Sequence, residues 1–363
     1  MVDNGYGLII IDYHMGVLYS LIAVLGFVLI AAIGAGVFKL SFLFGVAVPY
    51  IGFIIFLIGF IWRVVDWARS PVPFCIPTVC GQGRSLSWIK ANNLESPYTA
   101  WAVVGRMAME VLLFRSLFRN DKAELKEGQR LLFSGNKFLW LGGMAFHWSL
   151  LIILFRHLRF FIEPVPSCVL WLQQIDGLFE FTLPTLLMSD VFIFAALVYL
   201  FFRRMASAQI RYISLPSDYF AVMLIFAVAA TGILARHVYK IDILEVKRLA
   251  LGMIGLHPVV AEGIGLVFYI HLFLVSILFA YFPFSKLMHM GGVFLSPTRN
   301  LKNDSRMKRH INPWSYPVKV HTYEEWEDEF RDAMKDVGLP VERESAETGE
   351  SAKRSIGDEG ESR

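Results

Sequence analysis

Four histidines stand in two pairs inside strongly apolar stretches of the chain: His147 and His157, ten residues apart, and His271 and His289, eighteen apart. Neutral imidazole ligates iron, and an iron held from both sides needs two histidines facing each other from different helices at a similar depth. Along one helix His147 and His157 are separated by roughly 15 Å, and His271 and His289 by roughly 27 Å if the second helix continues through Pro283. If those helices run antiparallel, His147 meets His289 near one membrane face and His157 meets His271 near the other. The opposite pairing would ask each group to bridge unequal depths. The chemistry this spacing suits is two b haems, each with two histidine ligands. A single histidine inside a membrane helix is more often a hydrogen-bonded contact between helices. The argument for haem rests on four in matching depth order. Gly142, Gly143 and Ala145, close to His147, are small enough to let a flat macrocycle approach the helix.

Other reactive residue types form weaker patterns. Cys75 and Cys80 have C-x4-C spacing, but one such pair lacks the four ligands of a zinc or iron–sulfur site and reads as two lone thiols. With Cys168 the cysteines number three, so at least one thiol has no disulfide partner. His237, beside Arg236 and Lys240, reads as part of a basic helix end at the outer membrane surface. His257, His310 and His321 fall in loops and His14 precedes the first apolar block. There is no glycine-rich phosphate loop and no hydrolytic constellation.

The elements that must position the four histidines are membrane helices. Hydrophobic residues make up 56% of the 363, gathered into long blocks rather than amphipathic stripes, which excludes an ordinary soluble domain. Six blocks are long enough to span roughly 30 Å of hydrocarbon: about 17–38, 41–62, 138–160, 186–202, 218–235 and 262–284. The third carries His147, Arg156, His157 and Arg159, and polar groups in a span argue for function. The expected fold is an all-α integral membrane protein, a six-transmembrane-helix bundle with a cytoplasmic loop and tail. The loop 63–137 carries eleven Lys or Arg and belongs on the cytoplasmic side, as do Arg203, Arg204 and Arg211 and the basic stretch Lys286 to Arg309. Both termini are then cytoplasmic, in the inner cell membrane. The segment Pro97 to Phe118, apolar but interrupted by Arg106, Glu110 and Arg115, reads as an interfacial or docking helix. The first block has no basic residues ahead of it and no small-residue cleavage site, so 1–40 reads as a retained additional helix. The net charge of +3 does not imply nucleic acid.

Beyond the last span, Thr322 with Glu325 forms a capping box and Gly338 with Pro340 a stop, predicting a short helix between them. Trp326, Phe330, Met334 and Val337 make one apolar stripe on that acidic helix. The segment 291–341 reads as a partner-docking region, and 342–363 has the composition of a disordered tail.

Several runs resemble a known family. Pro49-Tyr50, Phe56 to Gly59, Trp62-Arg63, the H-x9-H pair, and His271-Leu272 with Phe282-Pro283-Phe284-Ser285-Lys286 and His289 are similar to the gamma-type cytochrome b of membrane nitrate reductases. That likeness covers about 45–290 and marks 41–290 as a di-haem cytochrome b domain. It implies that His147, His157, His271 and His289 ligate two b haems and that a quinol is oxidised beside the outer one. In that family a basic residue in the loop after the outer histidine is linked to quinol binding, and here Gly177 stands twenty residues past His157. Other parts resemble the M subunit of the Dsr membrane complexes of sulfur-metabolising prokaryotes and its heterodisulfide-reductase-like menaquinol-oxidising form. These are Ile76-Pro77-Thr78 to Gly81-Gln82, Ser85 to Lys90, Ile311 to Trp314 and Val318 to Glu325.

The resemblance implies an electron-transfer subunit of a menaquinol-oxidising oxidoreductase. Menaquinol gives up its electrons near the outer pair and its protons outward, and the electrons move inward to a cytoplasmic iron–sulfur subunit related to heterodisulfide reductase. Further Dsr-type subunits and membrane lipid complete the partners, and the setting is dissimilatory sulfur metabolism. Arg156, Arg159 and Arg236 are candidates to contact the quinol oxygen or a haem propionate, and equally suit an interfacial belt. Two other classes stay open on the residues alone: a transporter or channel whose His and Arg line an ion path, and a haem-bearing anchor that only assembles partners.

Overall fold

The computed structural model describes residues 4–70, 81–126, 130–177, 186–260, 263–296, 300–304 and 320–342, with side chains given from 15 onward and not for 121–134. Two units divide the chain at Lys308 and Arg309.

In the first unit, α1 (Asn4–Ala31) ends in a wide turn, Ala32–Val37, and a second wide turn, Leu43–Ala47, leads into α2 (Val48–Arg69), where Pro49 suits the first turn. The segment between α2 and α5 contains α3 (Ala100–Leu113), the single turn α4 (Arg115–Phe118) and a hairpin of β1 (Asp121–Lys126) with β2 (Arg130–Gly135). Then come α5 (Lys137–His157), α6 (Ser167–Asp176), α7 (Met188–Ala206), α8 (Ala208–Ile213) and α9 (Pro216–Ile233) with its wide turn Leu234–Val238. The series closes with α10 (Ile243–Ile254), α11 (Leu266–Tyr281) and α12 (His289–Leu295). The hairpin is the one departure from the all-α expectation among the described residues.

Among the described residues five helices are long and apolar enough to cross a membrane: Met15–Val37, Leu43–Arg69, Lys137–Phe160, Pro216–Val238 and Leu266–Phe284. The chain is thus a multi-pass membrane protein. The sequence reading counted six. The difference is α7, which is helical over 19 residues but carries Asp190 in its first turn and Arg203 and Arg204 in its last. At 14 residues, α3 is only about 21 Å long and does not reach across a bilayer.

The outward faces of the spans suit lipid: Leu29, Phe42 and Ile58 are each about three-fifths exposed. Inside, α5 packs on α7, α7 on α9, α9 on α1 and α11, and α11 on α2. The α2–α11 contact is close because it is built on small residues. A Cβ placed on Gly52 would lie 2.7 Å from the Ser276 carbonyl oxygen, and one on Gly59 2.8 Å from Pro283. Leu224 and Leu274 are fully buried against Val24 between α1, α9 and α11.

Two expectations about the histidine helices are corrected. The last helix does not run straight to His289. Pro283 has no N–H to continue the ladder, α11 stops at Tyr281, and two short turns, Phe282–Phe284 and Lys286–Met288, lead to His289 at the start of α12. Between them Ser285 is extended, and its hydroxyl accepts from Leu287 N at 3.2 Å. The smallness of Gly142 serves another helix rather than a macrocycle: a Cβ there would meet the Tyr199 ring of α7 at 2.6 Å.

The second unit contains α13 (Tyr323–Asp336). Thr322 and Glu325 cap it reciprocally, and Gly338, at φ 73°, takes the left-handed conformation that ends it. Of the apolar stripe, Met334 is buried, Trp326 and Phe330 are partly exposed with rings 5.7 Å apart, and Val337 is exposed. Cys75, Cys80, His310 and the tail from 343 lie outside the described residues.

Candidate functional site

The four histidines pair as their depth order requires. His147 and His289 have ring centroids 6.0 Å apart with planes at 83°, and His157 and His271 are 6.5 Å apart with planes at 25°. Two metal–imidazole bonds of about 2 Å and two ring half-widths of roughly 1.1 Å place a shared iron's ligand centroids about 6 Å apart. Both pairs match that separation.

Each ring is also turned correctly. The Nδ1–H of His147 donates to Gly143 O at 2.8 Å, that of His157 to Ile153 O at 2.7 Å, and that of His289 to Lys286 O at 2.8 Å. The fourth is held from a neighbouring helix: His271 Nδ1 lies 3.1 Å from both Val228 O and Thr231 Oγ1. A carbonyl can only accept, so the proton stays on Nδ1 and Nε2 keeps its lone pair for a metal. His289 is exposed and the other three histidines are half-buried. The helices that carry the pairs, α5 and α11, are not among the closely packed pairs either, which leaves width for a flat ring between them. The residues present therefore fit two bis-histidine haems. No cluster of three or more His, Cys, Asp or Glu suited to a bare metal ion occurs among the described residues.

The His147–His289 pair is walled by the segment between α2 and α5. Phe114, in the left-handed conformation at φ 47°, sets its ring edge-on to His147 at 4.9 Å. The indole N–H groups of Trp140 and Trp148 donate to Leu113 O at 2.7 Å and Leu112 O at 3.0 Å, which ties α3 to α5. Across the same end of the bundle, Lys286 donates to Asp218 at 2.8 Å and Arg204 lies 3.7 Å from the same carboxylate, so the F-P-F-S-K run is anchored to the start of α9.

At the opposite end of the bundle a buried polar network lies beside the His157–His271 pair. Arg156 donates to Asp176 at 2.7 Å and to Ser189 at 2.9 Å and lies 3.8 Å from Asp190. Asp176 also accepts the Ser189 N–H and hydroxyl, both at 2.7 Å. His237 Nε2 is 2.8 Å from Asp190, with both side chains under a tenth exposed. Arg159 donates to Gln173 at 2.6 Å, and Arg236 is half-buried in the same wide turn as His237. Of the three arginines the sequence singled out, Arg156 is thus committed to carboxylates, although its Nε is buried without a partner. His237 is not a snorkelling surface residue. The missed signals were Asp176 and Asp190, acidic side chains beside and inside apolar helices, where an unpaired charge is costly and implies a partner.

A helical membrane bundle that holds two imidazole pairs at two depths is the arrangement of a membrane cytochrome b. Comparison with known proteins agrees. The nitrate reductase gamma subunit family matches residues 97–309. The chain is 47% identical over 279 residues to the Hdr-like menaquinol oxidoreductase cytochrome b-like subunit of Archaeoglobus fulgidus, covering 75% of this chain and 83% of that one. To the protein of the same description from Archaeoglobus profundus it is 43% identical over 276 residues, 74% of this chain and 81% of the other. The chain therefore belongs to the nitrate reductase gamma subunit family, as a cytochrome b-like subunit of the Hdr-like menaquinol oxidoreductase type.

Proposed function

We propose that this chain binds two b haems, accepts electrons from menaquinol at its outer side and delivers them to a cytoplasmic iron–sulfur subunit related to heterodisulfide reductase, in dissimilatory sulfur metabolism. The observation that carries the reading is the pairing itself: one histidine of α5 and one from the α11–α12 segment at each depth, every Nδ1 engaged and every Nε2 left for iron. His147 and His289 hold the inner haem, His157 and His271 the outer. When bound, the haems supply one-electron carriers at two depths, as a quinol donor on one side and an iron–sulfur acceptor on the other require.

The chain's own residues set the direction. α7 serves as the sixth span: its 19 residues reach about 28 Å, its arginines fall at the cytoplasmic end, and Asp190 is paired inside the bundle with Arg156 and hydrogen-bonded by His237. Both termini then face the cytoplasm, as the basic loop 63–137 requires. The inner loop, fixed to α5 through Trp140 and Trp148, offers the acceptor subunit a surface beside His147, and the 291–341 segment supplies further docking contacts. Arg159 and Arg236 are placed to bind a quinol oxygen or a propionate, while Arg156 holds the fold around them.

A visible spectrum of the purified complex before and after a menaquinol analogue, then after dithionite, tests this. The expected result is two b haems per chain, with b-type bands appearing on quinol addition. A colourless protein would mean a transporter or channel. A red protein reduced by dithionite alone would mean an anchor.

A further inference from the structure

We propose that His237, oriented by Asp190, is the base that takes a proton from menaquinol at the outer end of the bundle. This rests on the reading of the chain as a quinol-oxidising subunit and adds the residue that reading lacks, since no basic residue stands at Gly177.

Oxidation of a quinol to its quinone breaks two O–H bonds and releases two electrons and two protons. The electrons go to an acceptor of the b-haem class. The protons need a base within the apolar wall, and four observations point to His237. It is buried, with its side chain 8% exposed, so contact with water does not explain its polarity. The Asp190 carboxylate can only accept, so Nε2 carries a hydrogen and donates at 2.8 Å, leaving Nδ1 as the lone-pair nitrogen of a neutral ring. Among the described residues Nδ1 has no hydrogen-bond partner. The residue sits in the wide turn Leu234–Val238, closed by Tyr239 N to Leu234 O at 2.9 Å, and such turns within membrane helices are frequent at functional sites. Asp190, which holds His237, and Arg236, its neighbour in the turn, both lie within electrostatic range of His157, so the base stands on the side of the outer ligand pair.

The surroundings suit a transient rather than a permanent cation. Among the described residues the charged and titratable groups around His237 are Arg156 and His157 from α5, Asp176 from α6, Asp190 from α7, and Arg236 from its own turn, with Arg159 beyond Arg236. Arg156 and Arg236 match Asp176 and Asp190 in number and Arg159 adds a cation further out, so these groups hold no surplus of anions that would keep His237 a permanent cation. As the quinol O–H breaks, a new N–H forms at Nδ1 and the imidazolium is met by Asp190 through Nε2–H. Release of that proton outward restores the base for the second.

The test compares the holo complex with its His237→Gln and Asp190→Asn variants. In His237→Gln the introduced amide keeps a donor toward Asp190 but cannot take a proton at neutral pH. Four measurements are made: haem content, dithionite-reduced spectrum, equilibrium binding of a quinol-analogue inhibitor, and the pH profile of the rate of haem reduction by a menaquinol analogue. His237→Gln should retain haem and bind the inhibitor within about twofold, yet lose about 100-fold in rate together with the acid limb of the pH profile. Asp190→Asn should lose about tenfold in rate and keep an acid limb. A wild-type rate and profile in His237→Gln overturns the proposal, as does loss of haem or inhibitor binding in step with the rate, which marks a structural role. Should His237→Gln fail to assemble, an unchanged rate in Asp190→Asn overturns it. If quinol does not reduce the wild type, the fault lies in the quinol reading itself.

Discussion

Replacing Gly232 with alanine should disturb the outer haem alone. Gly232 lies on α9 against the His271 ring: a Cβ there would stand 3.1 Å from Cε1, 3.5 Å from Nδ1 and 3.8 Å from Nε2. The first distance is a few tenths of an ångström too short, so the ring must yield. It has little freedom, because Nδ1 is held at 3.1 Å by both Val228 and Thr231. Overpacking of this kind costs about 1–3 kcal/mol, against a gain of about 1 kcal/mol from glycine to alanine within a helix. The residual strain falls on ring orientation. If about 1 kcal/mol of it differs between the two oxidation states, the outer haem potential moves by about 40 mV. Gly26→Ala is the control, since a Cβ at Gly26 meets nothing within 4 Å. A redox titration followed in the visible should show one shifted and one unshifted haem in Gly232→Ala, and two unshifted haems in Gly26→Ala. Two unshifted haems in Gly232→Ala would refute the reasoning.

Single ligand losses should fall into two classes: His147→Ala and His289→Ala deplete the inner haem, and His157→Ala and His271→Ala the outer, each class with a common residual spectrum and only the inner class still reducible by quinol. If extraction and titration put His147 with His271, the pairing is wrong. Arg159→Ala, which removes a bond to Gln173 and a contact over the Phe160 ring, should slow quinol-dependent reduction and leave dithionite reduction intact; an unchanged quinol rate removes Arg159 from the site. Arg156→Ala should instead unfold more readily by about 3–5 kcal/mol, the cost of breaking a buried pair, because Asp176 and Asp190 lose their shared cation; a thermal melt of wild-type stability would count against that.

What the sequence made legible was what periodicity and charge placement encode. Five of the six expected spans, the facing of His147 with His289 and of His157 with His271, and α13 between Thr322 and Gly338 follow from periodicity, spacing and capping, and the structure has them. The bend at Pro283 was visible as a residue type, but its outcome depended on Ser285 adopting an extended conformation that no periodicity announces. Gly142 looked like room for a cofactor because smallness does not say which neighbour fills the space, and Tyr199 does. The outer network escaped because its members come from four separate elements, and a histidine beside an arginine looks the same in sequence whether it faces water or a buried carboxylate. Phe114 against His147 was equally hidden, since its contact depends on a left-handed turn in a loop.

The four imidazoles differ in where their aim comes from, and that difference bears on how the protein is made. His147, His157 and His289 donate to carbonyls three or four residues back in their own segment, so each is oriented as soon as its turn forms. His271 borrows its orientation from Val228 and Thr231 on α9, about forty residues earlier. During synthesis α9 enters the membrane before α11, and its acceptors are in place when the last ligand arrives. The inner pair needs only that its two segments meet. The outer pair needs a third helix already docked, and so becomes ready for its cofactor last.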